Sequence, residues 1–169
     1  MHSHENEPAV TSTVVGSRYE LWRVKVSSLV TVANPLLSDV WGCGIITEKE
    51  IRACKEAGLG RKPSGMMPSK SLTREYHIAR VAYLMGATWP AVEYHEMMVY
   101  SPADYYAVLG TLADDDYSPR AVRMRQQVRI TDGNHRFCAA VLSGRETVNI
   151  EPMGDVAFLR SILSPVELI

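Results

Sequence analysis

Apolar and polar positions alternate over Tyr19 to Val26, YELWRVKV, and the β-branched and aromatic residues there predict a first strand that Asn34-Pro35 then breaks. Thr47 followed by Glu50 has capping-box spacing and starts a helix that ends near Gly58 and Gly60. The run from Gly60 to Ser69, GRKPSGMMPS, has two prolines, two glycines and no apolar period, so it reads as a connecting loop or lid. A second helix is expected from about Leu72 to Met85, stopped by Gly86 and then by Trp89-Pro90. Val92 to Tyr100, VEYHEMMVY, reads as a strand. Ser101-Pro102 with Asp104 supplies a cap, a first-turn proline and an acidic first turn for a third helix over Pro102 to Leu112.

The segment ADDDYSPRAVRMRQQ is polar and reads as a loop followed by a short helix. Regular pattern then resumes: VRIT as a strand, Asp132-Gly133 as a turn, NHRFCAAVLS as a helix ended by Gly144, and TVNIE as a strand. That order predicts a compact βαβ unit, and Asp155 to Leu163 adds a last helix. The fold class expected is mixed, α/β or α+β.

Length changes this picture little. The chain's 169 residues suit one domain with a core, here 18–169, preceded by a flexible tail over 1–17. The composition, 46% hydrophobic and 22% charged, is that of a soluble globular protein, and no apolar run approaches the roughly 18 residues of a membrane span. The opening MHSHENEPAVTST lacks the basic-then-apolar order of a secretory signal, and His2 and His4 read as incidental there. Cys43, Cys54 and Cys138 have no CxxC spacing, which argues against a disulfide framework or a zinc knuckle and for a reducing cytoplasm. A net charge of -1 excludes a uniformly basic nucleic-acid coat, so local clusters carry any such role.

The chemistry concentrates at Thr131 to Ala140. A glycine between a strand and a helix permits a tight turn, so the first helical amides point outward with the positive end of the helix dipole. Arg136 in the first turn adds a planar cation and His135 a titratable donor, both suited to phosphate. The plain alternatives are a strand–turn–helix joint that binds nothing, a packing histidine, and an arginine paired with a nearby carboxylate.

DGNHRFCAA, followed by Gly144 and TVNI, resembles the loop of the ParB/sulfiredoxin superfamily, whose members carry a strand, a DG-x-x-R or GxxR-x-x-A loop, a helix, and a glycine before the next strand. The Asn34-Pro35 step after the first strand looks like the opening of ParB-like domains. The resemblance implies an α+β single domain of ParB/sulfiredoxin type, with a small mixed sheet and packed helices. It also implies nucleotide-phosphate contacts at Gly133, Asn134, His135 and Arg136, with ATP or CTP and Mg²⁺ as the ligands. Asn134 stands where sulfiredoxins have their reactive cysteine, which argues against sulfinic-acid reduction. Cys138, one turn on, reads as a buried small hydrophobe. The chain ends about 20 residues after the loop unit, without the helix-turn-helix of chromosome-partitioning relatives.

Phosphoryl chemistry needs a carboxylate, and Asp132 is nearest; with His135 and Arg136 it forms the candidate catalytic set. Glu93, His95 and Glu96 lie on the preceding strand, with Glu93 and His95 on one face and Glu96 on the other. Asp114, Asp115 and Asp116 either bind a cation or face water. Arg120, Arg123, Arg125 and Arg129 either follow an anionic backbone, giving DNA contact without sequence specificity, or form a solvated face. Glu75, Tyr76 and His77 are noted because related kinases use a glutamate from outside the loop. Met66, Met67, Met97 and Met98 read as core filler. Stand-alone ParB-like members, among them the Osa-type conjugation suppressors, imply hydrolysis of a nucleoside triphosphate or a nucleic-acid phosphodiester. The rivals are an ATP-dependent small-molecule kinase of the free-serine type and a nonenzymatic nucleotide-binding adaptor.

Overall fold

A computed structural model describes residues 20–62, 72–87, 96–102 and 127–169. The first strand, β1 (Trp22–Lys25), is shorter than its pattern suggested, and Val26 already opens a helix, α1 (Val26–Val32). VSSLVTV is rich in β-branched residues, which favour strands. It folds as helix because Val26 and Leu29, one turn apart, both reach the core, and tertiary burial outweighs a weak local preference. Asn34-Pro35 therefore follows a helix and not a strand; the Asn34 side-chain oxygen accepts the Leu36 amide at 2.9 Å.

Helix α2 (Glu48–Glu56) starts at Thr47, where the Glu50 amide donates to the threonine hydroxyl at 3.3 Å and the Thr47 amide donates to the Glu50 carboxylate at 2.8 Å. Helix α3 (Arg74–Leu84) is capped by Thr73. Its first residue, Arg74, donates to both Glu50 carboxylate oxygens and to the carbonyls of Cys43, Gly44 and Ile45. The Thr47 amide, with Arg74 and the Thr47 hydroxyl, holds the Glu50 carboxyl down at about 2. One guanidinium thus ties two helices to the loop before α2.

The remaining described elements are β2 (Met97–Tyr100), β3 (Arg129–Asp132), α4 (Asn134–Leu142), β4 (Thr147–Met153), α5 (Val156–Leu163, capped by Asp155) and β5 (Glu167–Leu168). The five strands form one mixed sheet in the order β3-β2-β4-β1-β5, in which β2 and β4 are parallel and the other neighbours antiparallel. The expected βαβ unit is therefore corrected. β2 lies between β3 and β4, and β3 runs opposite to β4.

Glu96 explains why β2 sits there. Only 3% exposed, it accepts the Asn149 amide of β4 at 2.6 Å on one carboxylate oxygen and Arg145 at 2.7 Å on the other, while its own amide donates to the Asn149 carbonyl at 2.8 Å. A buried carboxylate is tolerated only when so paired. Glu96 is committed to the sheet and is not free for phosphate chemistry.

Two apolar clusters meet at α4. Phe137 and Ala140 join Trp22, Val24, Met97, Val99, Val148, Ile150, Leu159 and Leu163 against the sheet. Cys138, Ala139 and Leu142 join Ile46 just before α2, Ile51 of α2, and Val81 and Ala82 of α3. A helix apolar on both sides is a buried one, so α4 is the central pillar of the fold. Met97 is fully buried, as filler should be. No helix among the described residues is long and apolar enough to cross a membrane. The expected tail over 1–17, most of the Gly60 to Ser69 loop, Glu93, His95, the Pro102 to Leu112 helix beyond its first residue, Asp114 to Asp116, and Arg120, Arg123 and Arg125 lie outside the described residues.

Candidate functional site

β3, at the sheet edge, delivers the chain to Gly133, and α4 begins at once. Gly133 has φ 88°, in the left-handed region, and a Cβ built on it would lie 2.3 Å from the Glu96 carbonyl oxygen and 2.6 Å from the Met97 Cβ. Only glycine permits both the turn and the close approach of this turn to β2. The first helical bond runs from the Phe137 amide to the Gly133 carbonyl at 2.8 Å, and no side chain caps the helix. The amides of Asn134, His135 and Arg136 consequently have no partner among the described residues, which is the electropositive arrangement that holds anions.

The side chains of the expected set divide. Asp132 is exposed; one carboxylate oxygen accepts the Gly133 amide at 2.7 Å and the other accepts Arg136 at 3.1 Å. It orients the turn and the guanidinium, so both of its oxygens are already in use. The Asn134 side-chain nitrogen donates to the Ile130 carbonyl at 2.9 Å, which ties that side chain to β3. Among the described residues no group of three or more His, Cys, Asp or Glu could hold a metal ion. Among the described residues these donors do not build a protein-held Mg²⁺ site. Arg129, on the edge strand, is half-buried and is the one member of the expected arginine patch among the described residues.

His135 has an unforeseen partner. His77 Nδ1 of α3 lies 2.8 Å from His135 Nε2, and the two rings are within 13° of parallel with centroids 5.1 Å apart. That separation matches the N···N contact plus two ring radii, so the imidazoles lie edge to edge in one plane, one donating and the other accepting. Trp41, from the loop before α2, stacks across both, with centroids 5.1 Å from His77 and 4.9 Å from His135. Burial, with Arg80, His77 and Arg136 adding repulsion, pushes His135 down to about 3. Burial and then Arg80 also lower His77. Both shifts favour the neutral rings, and the N···N contact needs one facing nitrogen to carry a proton and the other to accept it.

Cys138 is fully buried, and burial pushes its thiol up to about 12, so it is a small apolar residue and no nucleophile. Glu75 is exposed and lines a cavity of about 550 Å³ together with Tyr76, Cys54 and Leu59, none of whose walls belongs to the Gly133 loop. His77 was noted only for its neighbour Glu75; of the residues sequence reasoning passed over, Arg80 stands three beyond His77 on α3 and Trp41 precedes α2. The i, i+3 spacing was the one available signal. Neither family models nor curated proteins nor solved structures yield a match to this chain.

Proposed function

We propose that the chain is a nucleotide-binding protein of ParB-like kind that takes ATP or CTP by its phosphates at the N-terminus of α4 and hydrolyses it, with a nucleic-acid phosphodiester as the other candidate substrate. The observation that carries the reading is the open first turn of α4, where the amides of Asn134, His135 and Arg136 have no partner among the described residues and stand beside the Arg136 guanidinium. Phosphate oxygens would accept from these amides, and Arg136 could swing from Asp132, its exposed i−4 partner, at small cost because such pairs contribute little. Neutral His135 would present a ring nitrogen without adding like charge.

A second reading, a nucleotide-binding adaptor, is favoured by Asp132, whose oxygens are engaged by the Gly133 amide and Arg136 and so are poorly placed to activate water. Thermal unfolding with millimolar ATP, CTP and their diphosphates, with and without Mg²⁺, tests the binding claim, since a ligand that binds only the folded state raises the melting temperature. Unmoved melting across the panel refutes it. Release of phosphate from ATP or CTP alone then supports the hydrolase, turnover only with an added hydroxyl compound a kinase, and binding without turnover the adaptor.

A further inference from the structure

Among the described residues Arg80 has no carboxylate partner. It stands one turn beyond His77, whose ring meets His135 of α4, on the same face of α3. Its Nε is shut off from solvent and has no hydrogen-bond partner, and among the described residues its guanidinium makes one bond, from Nη1 to the Tyr76 hydroxyl oxygen at 3.1 Å. No carboxylate pairs with it among the described residues, whereas Arg74, Arg136 and Arg145 each have one. A half-buried guanidinium without a counter-charge is costly unless an anion completes it. Its field falls on both imidazoles, and on His135 it acts together with that of Arg136.

We propose that Arg80 is the second guanidinium of the anion site at the start of α4, and that the site therefore prefers ligands with two adjacent phosphoryl groups to a single phosphate. This rests on the reading of that helix end as a phosphate site. In this arrangement Arg136 and the open amides take one phosphoryl group, Arg80 takes its neighbour across the His77–His135 pair, and Tyr76 holds Arg80 in place. The edge-to-edge imidazoles under Trp41 keep the space between the guanidinia neutral, so the charge that balances the two arginines comes from the ligand.

Calorimetry with inorganic phosphate, pyrophosphate and ATP on the wild type, Arg80→Gln, Tyr76→Phe and Arg136→Ala tests this. The wild type should bind pyrophosphate at least about tenfold more tightly than phosphate. Arg80→Gln should weaken pyrophosphate and ATP about 10- to 100-fold, the range of a lost charge-assisted contact, and phosphate by less than about threefold, so that the preference collapses. Tyr76→Phe, which removes one oxygen, should reproduce the same selective loss at several-fold size and decides the matter if Arg80→Gln fails to fold. If the preference survives in the Arg80→Gln and Tyr76→Phe proteins while Arg136→Ala loses phosphate binding, the Arg80 assignment is wrong and the helix-end site stands. If the wild type binds none of the three, both fall together.

Discussion

Acid should destabilise this fold through His135 in a way that a non-titrating residue at the same position abolishes. In the unfolded chain the imidazole takes a proton near its ordinary 6.5, while in the folded protein burial and the charges of Arg80, His77 and Arg136 delay protonation to about 3. Between those values the unfolded state binds the extra proton, so stability is full above about pH 6.5 and falls as the pH drops, levelling near pH 3. At about 1.4 kcal/mol per pH unit the loss is about 2 kcal/mol by pH 5, a large share of a small domain's stability. The His77 ring shifts in the same direction and titrates with its partner as a pair, so 2 kcal/mol is an order of magnitude for the pair's first proton. Urea unfolding of wild type and His135→Gln at pH 7 and pH 5, each protein compared with itself, isolates the effect because the surface carboxylates are common to both. The wild type should lose about 2 kcal/mol more than the variant. Equal losses would mean that His135 is not held neutral by its surroundings.

Gly133→Ala should destabilise by at least about 2 kcal/mol in chemical denaturation, because the turn needs a positive φ and a Cβ there would strike the Glu96 carbonyl; a near-neutral result would contradict the tight approach of α4 to β2. Cys138 should resist a thiol reagent at pH 8 until the protein unfolds, and the protein should not reduce a cysteine sulfinic acid; rapid labelling or repair activity would show the thiol misjudged. Any DNA binding should be sequence-tolerant and run through Arg120, Arg123, Arg125 and Arg129, its salt slope flattening by about one for each arginine removed; unchanged binding when all four become alanine would detach the patch from DNA.

What could be read in the sequence was what is local. The Thr47–Glu50 capping box and the Gly133 turn are decided within a few residues, and both stand in the structure as their spacing indicated. Helix α1 was missed because its β-branched residues signal strand until Val26 and Leu29 are seen to face the core. The insertion of β2 between β3 and β4 depends on Glu96 reaching Asn149 and Arg145, bonds that span 53 and 49 residues and leave no mark in local pattern. The same holds for the site. Gly133 and Arg136 lie in one short motif, but His77 meets His135 from 58 residues away, and Trp41 comes from a third element. Asn134, read as a phosphate contact from the resemblance, also donates from its side chain to the Ile130 carbonyl four residues back.

The claim on which the account turns is that phosphates bind at the first turn of α4, and titration calorimetry of ATP and CTP with Mg²⁺ against wild type, Arg136→Ala and Arg136→Lys tests it most directly. The expected result is saturable binding to the wild type, a loss of roughly 1.5–3 kcal/mol in Arg136→Ala, and a clear loss in Arg136→Lys, whose ammonium cannot reproduce the bidentate fork. Equal affinity in all three folded proteins would place the phosphates elsewhere, and no heat of binding in the wild type would contradict the account outright.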